Sequence, residues 1–414
     1  MHIHSIRYST QLFRSCVALC SLLGTIGTAN AADWPQFRGP AGTGVATDKK
    51  LPLRWSEKEN IAWKSELPGR GPSSPIVVGN RVVVTCSDGA RQDRILVVCF
   101  DAESGKEMWR RQFWATGRTL SHPDSANAAP TPASDGKRIY AFYSSNDLVC
   151  LDLDGNLQWY RGLAHDFPKA GNDVGMASSP VVVQGSVVVQ VENFADSFAM
   201  GIDAETGETR WKLARPATFN WSSPAAMNGP DGKPIVLLQS PSKLTAHDPV
   251  SGDQLWQYET NCETIPSVLG VGKYVVLPAK GITMLELEGS APKILWESNR
   301  MRTGSASPIC DGESVYVINS AGVLTCADAK TGDQKWQTRI GGTFWATPIL
   351  AGEHILCINQ DGKAKLVKTG ATKGEIVGEA DFGERIQGTP ATSNGALFVR
   401  SDKHLWKISA DKTP

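Results

Sequence analysis

Apolar residues along this chain come in short β-branched bursts separated by Gly, Asn and Asp, without sustained helical spacing. Ile76-Val77-Val78 is followed by Gly79-Asn80, then by Arg81 to Thr85, a polar turn, and Ile95 to Val98. Gly-Asn and Asp-Gly pairs supply the positive φ of tight hairpins, so the bursts read as antiparallel strands. The pattern then restarts. A small-polar pair and Pro opens each unit: Ser73-Ser74-Pro75, Pro130-Thr131-Pro132, Ser178-Ser179-Pro180, Ser222-Ser223-Pro224, Thr264-Ile265-Pro266, Ala306-Ser307-Pro308, Ala346-Thr347-Pro348 and Gly388-Thr389-Pro390.

A second phrase closes the units. It runs Asp101 to Trp109, Asp203 to Trp211, Asp248 to Trp256 and Asp328 to Trp336, each with Gly at its fifth position; weaker copies end at Trp159 and Trp296, and Trp63 carries only the tail. Successive Trp lie 46, 50, 52, 45, 40 and 40 residues apart. Asp accepts turn N–H groups and Gly takes positive φ, so the phrase predicts the turn between a third strand, C, and a fourth, D, that carries the Trp. Trp63, Trp109, Trp159, Trp211, Trp256, Trp296 and Trp336 thus share one structural position, packed against the next unit.

Four-stranded units of this length are propeller blades. The reading is an all-β chain forming one eight-bladed β-propeller of four-stranded antiparallel blades over residues 60–410. The last unit, after Pro390, has three strands at most, and Ile61-Ala62-Trp63-Lys64 is a lone D strand. The N-terminal strand is therefore expected to complete the last blade and leave no free sheet edge.

The ends change the picture little. Residues 1–31 read as a secretory signal peptide: Arg7 and Arg14, an apolar run from Ser15 to Thr28, and Ala29-Asn30-Ala31 as the cleavage site. The run is short of the ~20 residues that span a bilayer, so no transmembrane segment is expected after cleavage. Residues 32–59 read as an N-terminal extension and 411–414 as a tail. Export places the chain in the periplasm, outside the cell or at its surface.

Lysines and arginines equal aspartates and glutamates at 42 each. Losing two arginines with the leader makes the exported chain slightly acidic, against nucleic-acid binding. Seven of the nine Cys remain, with no Cys-x-x-Cys-His for covalent haem and no Cys-Cys pair. Cys99, Cys150 and Cys326 recur at one repeat position, as small buried apolar residues do.

The Asp/Gly/Trp phrases resemble those of the pyrroloquinoline-quinone (PQQ)-like β-propeller repeat family, over about residues 60 to 410. That family includes quinoprotein alcohol dehydrogenases and the outer-membrane assembly factor BamB, so the resemblance is specific for fold and weak for function. Asp33 to Pro40, reading Asp-Trp-Pro-Gln-Phe-Arg-Gly-Pro, resembles the start of exported propellers common in planctomycetes. In the dehydrogenases, PQQ lies over the channel with a calcium ion held by acidic and amide ligands. Here Glu192-Asn193 has suitable ligand types for a hard cation, but the pair is better read as a polar B–C hairpin turn. Histidines show no metal-ligand spacing, and phosphate-loop, Rossmann and Gly-x-Ser-x-Gly patterns are absent.

Geometry directs attention to one face. In a propeller the D–A links between blades and the B–C turns within them share a face around the channel mouth. Here those segments carry Arg70, His122, Asn127, Asn172, Asp173, Glu192, Asn193, Asn220, Trp221, Arg302, Phe344, Trp345 and Arg385 as ligand- or partner-binding candidates. The links 113–129 and 162–177 are longer than a tight connection needs. Trp221 and Phe344-Trp345 fall outside the repeated Trp position, and aromatics with Arg at a loop rim suit recognition; plugging the channel is the alternative. The expectation is a non-catalytic exported propeller that binds an envelope protein or exopolymer on this face, with a BamB-like scaffold as one version. Two readings stand beside it: a PQQ- and calcium-dependent oxidoreductase, and another enzyme acting on polysaccharide.

Overall fold

Every β-branched burst pairs with the next across its hairpin turn. The computed structural model describes residues 33–409 except 53, 57, 58, 172 and 290; the leader 1–31 and tail 411–414 lie outside the described residues. Eight four-stranded antiparallel sheets follow one another along the chain. Their residues are 76–114, 133–162, 181–214, 225–259, 269–298, 309–339 and 349–381 for blades 1 to 7. Blade 8 joins Ala391–Ser393, Ala396–Arg400 and His404–Ile408 to the N-terminal strand Ile61–Glu66, with Trp63 opposite Lys407 and Lys64 opposite Trp406. The closure expected from the two incomplete units is what forms.

The apolar core sits between blades rather than within them. One cluster joins blades 1 and 2 through Ile76, Val97, Ile139 and Val149, and another spans blades 7, 8 and 1. The repeated Trp locks these seams. Its ring covers the C–D turn Gly of the next blade: a Cβ on Gly105 (φ +67) would sit 2.5 Å from Trp63, and one on Gly155 would sit 2.6 Å from Trp109. Its indole N–H reaches the same turn, Trp63 donating to Ala102 O at 3.1 Å and Trp109 to Leu153 O at 3.0 Å. Trp159, Trp211, Trp296 and Trp336 repeat both contacts. Trp256 packs with the blade 4–5 cluster without them among the described residues. The turn's Asp does what its position requires. Asp203 is held down to about 2, first by the Thr206 amide it accepts and then by Arg210.

On strand C, Cys99, Cys150 and Cys326 face Trp109, Trp159 and Trp336, where Gly201 and Ala246 face Trp211 and Trp256 and the larger Met284 faces Trp296. All seven described cysteines are free and buried, and burial pushes the Cys99 thiol up to about 12. Such thiols are inert packing groups.

Two features were not legible in advance. In blade 5 the residue equivalent to Ser74 is Ser267, which follows Pro266; Val268 takes the Pro position, so the opening phrase there lies two residues later than the Thr264-Ile265-Pro266 reading. The second is the N-terminal extension, which enters the channel from the face of the A–B turns. Trp34 exchanges two hydrogen bonds with Val77 at 2.9 Å, Ser134 N–H donates to Pro35 O, and Ala46 N–H donates to Leu350 O. Arg38, 1% exposed, donates to Ser267 O at 3.1 Å and Val268 O at 2.7 Å. Residues 33–46 thus bond to blades 1, 2, 5 and 7 and plug the ring from below.

Candidate functional site

The opening phrases of the eight blades converge on the axis, and their hydroxyls close a circle. Each backbone N–H donates to the hydroxyl of the next blade: Ser74 to Thr131 (3.0 Å), Thr131 to Ser179 (3.0 Å), Ser179 to Ser223 (2.9 Å) and Ser223 to Ser267 (2.9 Å). Ser267 continues to Ser307 (2.9 Å), Ser307 to Thr347 (3.3 Å), Thr347 to Thr389 (3.0 Å) and Thr389 back to Ser74 (2.9 Å). Strand A starts have no sheet partner for these N–H groups, so the hydroxyls satisfy donors that burial would otherwise penalise. All eight side chains are buried, and among the described residues none of these hydroxyls donates to a protein atom.

Above the circle lies a cavity of 420 Å³. The circle surrounds it, the plug's Phe37 contributes to it, and His122, Trp221, Ile265, Trp345 and Val174 stand around it. Since the plug fills the channel below, the cavity opens only toward the D–A and B–C face.

Three of the sequence candidates, His122, Trp221 and Trp345, line this cavity. Trp221 is fixed by its indole N–H to Gly175 O at 2.8 Å and by stacking on Phe219 at 5.5 Å. Trp345, 39% exposed, donates to Gln360 Oε1 at 2.9 Å. Two arginines act indirectly by pinning the long 113–129 link over the mouth. Arg70 donates to Pro123 O at 2.7 Å and Ser125 O at 3.3 Å. Arg385 donates to Asp124 Oδ1 at 2.9 Å, and this hydrogen bond with its positive charge lowers the Asp124 carboxyl below its ordinary range. Asp173 pairs with Arg118, and Arg302 is exposed and donates to Asn299 O. Asn172 lies outside the described residues.

The remaining candidates serve the fold. Asn127 is fully buried and holds Gln92 O and the Ser145 N–H; Asn193 closes its own turn on Asp196 O and Ala195 N–H. Asn220 bonds Gln239 O, and Phe344 lies in the blade 6–7 core. Glu192 is sequestered: Oε1 takes Arg215 Nε at 2.8 Å, Gln190 Nε2 at 2.9 Å and the Ser240 hydroxyl at 2.5 Å. Sequence reasoning overlooked the hydroxyl circle as a lining, and Phe37, Val174 and Ile265. The recurrence of Ser or Thr before Pro was the available clue to the circle.

A calcium-held quinone would need free carboxylate and amide donors at this mouth. Among the described residues Asp124 is the one lining carboxylate and is taken by Arg385; Glu192 lies outside the lining and binds Arg215 through Oε1, its Oε2 being buried without a partner. Among the described residues no three His, Cys, Asp or Glu side chains converge. The residues present do not fit that group.

Fold and mouth together define a class: an eight-bladed propeller of PQQ-like repeats with a plugged channel and a blind axial cavity. The family model described as outer membrane protein assembly factor BamB matches residues 45–167, 93–266 and 288–364, and the chain belongs to that family. BamB of Moranella endobia is 23% identical over 299 residues, 70% of each chain. The crystal structure of BamB from Moraxella catarrhalis matches with a TM-score of 0.62 at 14% identity, covering 86% of this chain and 98% of that one. Quinohemoprotein alcohol dehydrogenase from Comamonas testosteroni matches with a TM-score of 0.65 at 14% identity, covering 93% and 82%. Likeness at this identity shows the shared fold alone. Among the described residues no helix is long and apolar enough to cross a membrane.

Proposed function

We propose that this chain is an exported, non-catalytic propeller that captures an envelope protein or exopolymer on the D–A/B–C face. The observation that carries the reading is the blind axial cavity with fixed Trp221 and Trp345 at its rim. Aromatic side chains already held in place lose little freedom on binding. Membership of a family described as an assembly factor favours a protein partner in the envelope. Export rests on the leader-like residues 1–31.

The test is affinity capture from envelope extract with the purified chain, Trp345→Ala and Arg302→Ala. Both variants should keep the parent melting temperature, since both side chains are exposed, and should lose most of the captured partner. Identical capture by all three proteins would overturn the reading. A second reading, oxidation with PQQ and calcium, is tested directly. Reconstitution with both should give neither stoichiometric cofactor absorbance nor dye-linked alcohol oxidation; turnover would replace the binding reading.

A further inference from the structure

We propose that the axial cavity is a saccharide site that receives the uncharged end of a glycan chain. The inference rests on the D–A/B–C face being the binding face and adds what enters it.

Charge sets the first constraint. His122 and Asp124 are the ionisable side chains of the lining, and Asp124 is already engaged by Arg385, which does not itself line the cavity. Neither an anion nor a cation finds a free counter-charge there, and burying an unpaired charge is costly. The second constraint is the hydroxyl circle. Each oxygen spends one lone pair on the preceding blade's N–H and keeps its own O–H and another lone pair. Such groups donate and accept alike, matching sugar hydroxyls, which do both. The third is the rim. Trp221 and Trp345 are held by their indole N–H groups; Phe219 stacks on one face of Trp221, and the other face and the Trp345 ring are apolar surface for the C–H face of a sugar.

Shape and charge together disfavour a polypeptide end. At 420 Å³ the cavity falls within the ~300–1,000 Å³ range of small-ligand sites. The plug lies beneath it, so a polymer does not thread it and enters by an end or by a bend of its chain. A polypeptide end carries a charge that this lining does not pair. The non-reducing end of a neutral glycan carries none.

The experiment is calorimetric titration of the purified chain with cello-, malto-, manno- and xylopentaose, and with tetragalacturonate as the charged control. At least one neutral pentasaccharide should bind with a Kd tighter than about 1 mM. Trp345→Ala and Ile265→Arg, both at exposed positions, should each weaken it at least tenfold while melting as the parent does. Absence of binding by all four neutral probes overturns the inference, as does binding unaffected by both variants or equal binding of tetragalacturonate. If no glycan binds but Trp345→Ala still abolishes capture of an envelope protein, the saccharide inference fails and the binding-face reading stands. If neither glycan binding nor capture depends on Trp345, both fail.

Discussion

Arg38→Ala should release the plug without melting the ring. The guanidinium donates to two buried carbonyls, Ser267 O at 3.1 Å and Val268 O at 2.7 Å, and its centre lies 5.0 Å from the Phe37 ring. Hydrogen bonds to a charged group are worth about 1.5–3 kcal/mol each when one partner is deleted, giving ~3–6 kcal/mol gross. Part of this is offset, because burial of the cation is itself costly, lowering Arg38 from 12.5 to about 9. A net loss of about 2–4 kcal/mol remains, concentrated in residues 33–46. The readout is amide hydrogen exchange. The Trp34 and Ala46 amides, bonded to Val77 O and Leu350 O, should exchange roughly 30- to 1,000-fold faster, at ~1.4 kcal/mol per tenfold. Amides in Ser186–Val191, the second strand of blade 3, should keep their rates. Arg38→Met preserves bulk without donors and should behave as the alanine variant does. Acceleration below about threefold at Trp34, or parent-like protection in Arg38→Met, would show that the two hydrogen bonds do not hold the plug.

Gly105→Ala places a Cβ 2.5 Å from Trp63 at a backbone φ of +67; positive φ and overpacking together should cost about 2–4 kcal/mol in urea unfolding, and a loss under 0.5 kcal/mol would deny the seam its role. Ser223→Ala removes the acceptor of the buried Ser179 N–H, so a loss of about 1–3 kcal/mol is expected, with the ring still closed by scattering. Burial lowers His247 from 6.5 to about 4. The unfolded chain therefore binds the proton first, and stability should fall as pH drops from about 6.5 towards 4. His247→Gln should flatten that part of the pH profile measured by denaturant midpoint.

What could be read from the sequence was what local chemistry repeats. Asp101, Gly105 and Trp109 recur with their spacing because one turn and one seam impose them, and each copy carries the whole instruction within nine residues. Blade number and strand closure followed from counting such copies and noticing two incomplete ones. Blade 5 shows where this stops. Pro266 drew the phrase two residues early, whereas the register is set by the A–B turn, where Gly272 (φ +57) corresponds to Gly79 (φ +56). Aligning on the conformationally forced glycine rather than on the proline gives Ser267 its place.

The plug and the site were only half legible, for a different reason. Arg38 meets its acceptors 229 and 230 residues away, and no periodicity announces a contact of that separation. In the links, Asn127 and Asn220 read like surface residues because a polar side chain satisfying buried backbone has the same sequence appearance as one facing solvent. Trp221 and Trp345 were separable because they break the repeat: no seam requires an indole at those positions. The hydroxyl circle was hidden by the opposite circumstance. Its residues obey the repeat, so recurrence pointed to structure and concealed that eight satisfied N–H groups leave eight hydroxyl protons uncommitted around one cavity. A residue that serves every blade's backbone can therefore also form a binding surface, and only the closed ring brings those protons together.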